Sequence, residues 1–187
     1  AFKSTQLWMT PGNELANQLW NYASIYAYAL ERKVALENPS FFEYGNHFTM
    51  PAPNFFFKLF FFLPFANYKK RKQSFKRRLW RKLYGYYAKI IISAHKKSVL
   101  TSDTSGNKAL YLPPTQEDGK LLELEKSRGT IYFDGWLFRN PVGIQKYKEK
   151  ILEYFKPRPD IDDQIKTRIK KLRSEFKTVV GVHIRQG

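Results

Sequence analysis

The chain contains no cysteine. That removes disulfides and thiolate metal sites from consideration and fits a reducing compartment. A bilayer-spanning run is missing too: the longest apolar stretch, NFFFKLFFFLPFA from Asn54 to Ala66, is interrupted by Lys58 and Pro64 and falls short of the roughly 20 residues a spanning helix needs. The first residues lack the positive start and apolar core of a signal peptide. Acidic side chains are scarce, with 16 Asp and Glu against 33 Lys and Arg and a formal charge of +17. Such a surface attracts phosphate, whether on nucleic acid, anionic lipid or a nucleotide substrate. No internal repeat is present.

What the chain does have is apolar and aromatic content. It is 43% hydrophobic, with 16 Phe and 12 Tyr, a composition of globular rather than disordered proteins. Its 187 residues suffice for one domain with a core, or for one domain and the start of another. It opens on Ala1 and stops at Gly187 directly after a strand-like run, so it is expected to be a fragment.

Periodicity supplies the elements. KSTQLWMT alternates like a strand and meets a turn at Pro11-Gly12. From Leu15, apolar residues at Leu19, Tyr22, Ala23, Tyr26, Ala29 and Leu30 recur at helical spacing, and Glu31-Arg32-Lys33 makes a polar end. VALENPS reads as a second short strand broken at Pro39. TSDTSGNKALYLPPTQEDGK is turn-rich and expected to be a surface loop. GTIYFDGW reads as a buried strand, and NPVGIQKYKEKILEYFKP as one helix starting near Pro141 and ending before Pro157. DIDDQIKTRIKKLRSEF predicts a helix with an Asp N-cap and Ile161, Ile165, Ile169 and Leu172 on one face. TVVGVHIRQG has the pattern of a fully buried strand running into a loop. Alternating strands and helices point to an α/β layer fold with a mainly parallel sheet.

The middle of the chain is aromatic and basic. Two Phe triplets, 55–57 and 60–62, run into NYKKRKQSFKRRLWRKLYGYYAKIII, where Phe75, Leu79, Leu83, Tyr86 and Ile90 form one helical stripe among Lys and Arg. This is a basic amphipathic helix. It is open to three readings: a Phe core beside a solvated charged face, an interfacial contact with an anionic membrane surface from Phe55 to Lys82, or phosphate contact with nucleic acid. No recognised nucleic-acid-binding signature accompanies the charge.

Ligands of open α/β sheets collect at the carboxyl ends of strands. Two strand-to-loop switches therefore stand out, Met9 to Gln18 and His183 to Gly187. Asn17 and Gln18 open a helix, where unpaired N–H groups and the dipole suit phosphate, although Asn is also an ordinary helix cap. Arg185 offers a planar fork suited to a diphosphate. Asp160 and Asp162 read either as a cap complementing the helix dipole or as a D-x-D metal element. Glu14 and Asp134 are the conceivable general bases, and the sequence selects neither.

GNELANQLWNYASIYAYAL resembles the N-terminal signature of the alpha-1,2-fucosyltransferases, G-x-L-G-N-Q-(L/M)-(F/W)-x-Y-A. VVGVHIRQG resembles that family's H-x-R-x-G-D signature, shared in outline with protein O-fucosyltransferases and nodulation fucosyltransferases. YFDGWLFRNPVGIQKYKEKI occupies the place of the family's G-Y-x-Q-S segment and following helix. Residues 41–112 match nothing comparable. The chain departs from the pattern at Ala16, where the family has Gly, in a loop lengthened by one residue at Asn13-Glu14, and at Gln186, where a second Arg is common.

The resemblance implies a two-domain, Rossmann-like GT-B architecture. Residues 1–176 would form an acceptor-side domain carrying the Phe-rich basic insertion at about 54–92, and residues 177–187 the first strand of a nucleotide-binding domain. It implies transfer of L-fucose from GDP-fucose to a galactoside-type glycan, with inversion by direct displacement, no metal and no other cofactor. Arg185 and His183 would act on the diphosphate. Asn17 and Gln18, with Gly12, Leu15, Ala16 and Gly187, would line the donor site. The expected partners are sugar nucleotide and glycan acceptor, in the cytoplasm or peripherally on the inner membrane face. The alternative is a basic peripheral-membrane or nucleic-acid binding module without sugar-nucleotide chemistry.

Overall fold

A computed structural model describes residues 2–4, 15–50, 75–102, 108–127 and 129–180. Their architecture is mixed α/β. Strands β1 (Phe2–Ser4), β2 (Leu36–Glu37), β3 (Val99–Thr101) and β5 (Ile131–Asp134) form one sheet in the order β2-β1-β5-β3. Every pair in it is parallel, with Ser4 beside Phe133 and Thr101 beside Asp134 at the carboxyl edge. Strands β4 (Leu110–Tyr111) and β6 (Phe138–Arg139) pair in parallel as a second, two-stranded sheet. The turn-rich segment expected to be a loop thus supplies a strand, because Leu110 and Leu112 donate their N–H groups to Leu137 and Arg139.

Strand β5 is buried along its whole length, as its unbroken apolar run predicts for a parallel sheet covered on both faces. On one face, Leu100, Ile131 and Phe133 meet Ile25, Tyr28 and Ala29 of α1 (Leu15–Glu31) and Leu121 and Leu124 of α3 (Gly119–Lys126). Tyr28 stands edge-on to Phe133, with ring centroids 6.4 Å apart, a geometry that adds about 0.5–1.5 kcal/mol beyond area burial. The other face carries Tyr132, on which His95 stacks at 4.8 Å. Tyr84 of α2 (Phe75–Ala94) reaches the charge of Asp134 there.

Helix α1 is buried on more sides than its apolar stripe predicts. Besides the sheet, Tyr22 packs on Phe41 of the 3-10 segment Pro39–Glu43 and on Tyr44, which joins it to the 3-10 segment Gly45–His47. Ala23 and Ala27 pack on Ile151 of α5 (Lys148–Tyr154), beside Ile144 of α4 (Pro141–Lys146). The helix ends with Lys33 at φ 54°, while Lys33 N–H and Val34 N–H bond to Leu30 and Ala29. This is a Schellman stop, with Val34 turned onto the core. Arg32 pairs with Glu125 at 2.6 Å, and Glu125 also accepts from Tyr28, tying α1 to α3.

Two helical expectations and one strand need correction. The single helix from Pro141 is two, broken at Tyr147, whose backbone leaves helical angles while its hydroxyl bonds Glu31 at 2.7 Å. Helix α6 (Pro159–Glu175) is capped by Arg158 with Pro at its first turn, not by an Asp side chain. Its stripe of Ile165, Ile169 and Leu172 is exposed. Residues 177–180 of the expected buried strand carry no strand and are exposed, Val180 at 75%, because no described sheet neighbour lies beside them. No described helix is long and apolar enough to cross a membrane.

Candidate functional site at the carboxyl edge of the parallel sheet

Strand β1 delivers the chain to the carboxyl edge, and α1 leads away from it. The connecting residues 5–14, with Gly12 and Glu14, lie outside the described residues. So do His183, Arg185 and Gly187, so the pairing of the two sequence motifs rests on their residues alone. Of the expected donor-site residues, Leu15, Ala16, Asn17 and Gln18 are described, and all fall in the first turn of α1.

Those four side chains separate by helical geometry. Gln18 sits on the inner face and is 2% exposed, together with Asn21, Tyr22 and Ile25 one turn and two turns on. Asn17 and Ala16 point to solvent, and Leu15 packs beside the cluster of Tyr22, Phe41 and Tyr44. The Asn-Gln pair therefore does not present two equivalent amides. Asn17 is the one available to a ligand from outside, and Gln18 belongs to the wall.

The edge itself is built from buried polar groups. Asn21, fully buried, accepts from Phe138 N–H at 3.0 Å and donates to the Gly135 carbonyl at 3.4 Å. Ser102 donates its N–H to the Asp134 carbonyl at 2.9 Å, and its Oγ accepts from Leu137 N–H at 3.2 Å. Together they hold the turn that follows β5. Gly135 adopts φ +117°, where an added Cβ would also run into the Ser102 side chain, so glycine is required there. Asp134 is 7% exposed at the end of β5, which places it beneath the edge rather than on it.

Two further groups shape this end of the molecule. The Tyr84 phenol is held well above its usual range, chiefly by burial and then by the charges of Tyr87 and Asp134, so it stays a neutral hydroxyl. Arg139 is half-buried and donates to the carbonyls of Trp136 and Phe138 at 3.3 and 2.8 Å. Burial lowers its pKa while the neighbouring Tyr111 raises it. Beyond β6, Asn140 is fully buried, caps α4 by accepting from Gly143 N–H at 2.9 Å, and donates to Pro113 at 3.0 Å.

The sequence reading passed over Asn21, Ser102, Arg139 and Asn140. For Asn21 a signal existed: an amide three residues after Gln18 and four before Ile25 lies on the same face as the buried stripe. Ser102 carried none, because its role depends on a strand pairing thirty residues away in sequence.

One described cavity, about 570 Å³, is lined by Tyr26, Thr49, Met50, Tyr154, Lys150, Glu149 and Glu153, where two carboxylates outnumber one lysine and disfavour a diphosphate. Asp160 and Asp162 each face a separate cation, Arg158 at 3.1 Å and Lys166 at 2.6 Å. No group of three or more metal-ligating side chains gathers among the described residues.

No protein-family model matches the chain, and no curated protein or solved structure matches it.

Proposed function

We propose that the protein is a GDP-fucose-dependent glycosyltransferase, passing L-fucose to a galactoside-type glycan with inversion. The observation that supports the reading is that Asn21, in the first half of α1, bonds Gly135 and Phe138 in the turn that follows the carboxyl end of β5. The solvent-facing Asn17, one turn before Asn21, supports the reading from the side of the sheet on which α/β proteins hold phosphorylated ligands. The order of the two sequence signatures supports it independently.

In this proposal the GT-B arrangement sets an acceptor-side domain over residues 1–176 against a nucleotide-binding domain that begins at 177–187. Loss of GDP leaves negative charge on the diphosphate, and the Arg185 guanidinium stabilises that charge more in the transition state than in the ground state. His183 shares the same pocket. Basic side chains take the place of a divalent ion, and the enzyme works on the cytoplasmic side. The buried amides, Gln18 and Asn21, act as positioning residues for the α1 start and the 134–138 turn.

Arg185→Lys tests the assignment in the full-length protein. A point charge cannot reproduce a bidentate fork, so transfer from GDP-fucose should fall by at least about 100-fold, the lower range for loss of one preorganised charge-stabilising donor. Near-normal turnover by that variant refutes the role.

A further inference from the structure

The stripe of Leu79, Leu83, Tyr86 and Ile90, open in the sequence to core packing or to an interfacial contact, is exposed in α2. Among its described side chains Tyr84 and Ala88, one turn apart, are buried, and Tyr84 reaches Asp134 of β5. The stripe lies roughly 140° away around the axis, at 3.6 residues per turn. Leu83 is 45% exposed, Tyr86 66% and Ile90 67%, with Leu79 and Tyr87 exposed beside them. From Leu79 to Ile90 this ridge runs about 16 Å along the helix. Scattered exposed apolar residues are ordinary, but a contiguous aliphatic and aromatic ridge marks a contact surface.

Its charge surroundings indicate what it contacts. Lys82 and Lys89, seven residues apart, are exposed along one flank, and Lys96 and Lys97 are exposed just past the helix end. From Tyr44 to Ser102 the chain has no Asp or Glu at all, while it carries 13 of the 33 Lys and Arg residues. A second copy of the same helix would bring like charges together. A nucleic acid would use the lysines and leave Leu79, Leu83 and Ile90 in water. An anionic bilayer uses both, with aliphatic side chains at the acyl boundary and ammonium groups among the headgroups.

We infer that α2 is an interfacial helix that seats the protein on an anionic membrane surface through Leu79, Leu83, Tyr86 and Ile90, flanked by Lys82 and Lys89. The inference does not depend on the transferase reading, since vesicle binding needs no sugar nucleotide.

The test is co-sedimentation of the chain with phosphatidylcholine vesicles, with and without phosphatidylglycerol, with a single-stranded oligonucleotide in a parallel binding assay. Partition should require phosphatidylglycerol. Lys82→Gln with Lys89→Gln should weaken it roughly 25-fold, at about five-fold per cation near the surface. Leu83→Ser with Ile90→Ser should weaken it about ten-fold or more, from the apolar groups withdrawn. All four side chains are exposed, so far-UV circular dichroism should stay unchanged. The inference is overturned if vesicles are not bound, if binding ignores both pairs of substitutions, if the oligonucleotide is bound and vesicles are not, or if the apolar pair abolishes self-association instead.

Discussion

Replacing Asn21 and Asn17 separately by Ala distinguishes the two asparagines of NQLWNYA, which look equivalent in the sequence. Asn21 is fully buried and holds Phe138 N–H at 3.0 Å. In Asn21→Ala that donor stays buried without its acceptor, at a cost of about 1–3 kcal/mol. The void left by the amide adds about 1 kcal/mol, and the better helix propensity of Ala returns about 0.5 kcal/mol. The net expectation is a loss of about 2.5 kcal/mol, read as a lower urea midpoint by circular dichroism with an unchanged slope. Asn17→Ala, on the solvent side, should stay within about 0.5 kcal/mol of wild type and, under the proposed function, weaken GDP-fucose binding. An Asn21→Ala variant as stable as wild type, or an Asn17→Ala variant losing about 2 kcal/mol, would refute the placement of the first turns of α1.

Four other substitutions probe the frame, two at the carboxyl edge and two at the far end of α1. Gly135→Ala should cost about 2–4 kcal/mol in urea denaturation, from a strained φ near +117° and the collision with Ser102, and Ser102→Ala in the same background should recover part of it. Lys33→Gly should raise stability by about 0.5 kcal/mol, because glycine takes the left-handed angle at the α1 stop without strain and gives back some of that gain through a freer unfolded chain. Lys146 and Tyr147 hold the Glu31 carboxyl below its usual range, so its stabilisation is complete above the unfolded value, near about 4.3, and is lost as pH falls through the lower folded value. Glu31→Gln should therefore flatten the acid side of a thermal-melting pH profile below about pH 5, and added salt should shrink the difference.

Much of the frame follows from local pattern. The run Ile131-Tyr132-Phe133 ahead of Asp134 reads as a buried strand, and it is one, buried along its whole length. Pro141 after Asn140, and Pro159 after Arg158, open helices where proline is tolerated at the first turn. Period alone, however, says which side chains share a face and not where that face points. The Leu79–Ile90 stripe of α2 is correct as a stripe and turned outward, since Tyr84 and Ala88 provide a narrower buried face. In α1 the apolar spacing understates burial, because the sheet, the 3-10 segments and α5 enclose it from three directions. That enclosure is what buries Gln18 and Asn21, and no local rule encodes it. Strand β4 escaped for a similar reason: its two residues pair only because the 134–138 turn brings β6 alongside.

The most direct test of the central claim is nucleotide release by the full-length protein from a panel of GDP- and UDP-sugars, with and without a galactoside acceptor. The account predicts GDP release from GDP-fucose, accelerated by the acceptor, with the UDP-sugars inert. Release that shows no preference for GDP-fucose, or none from any sugar nucleotide, would contradict it.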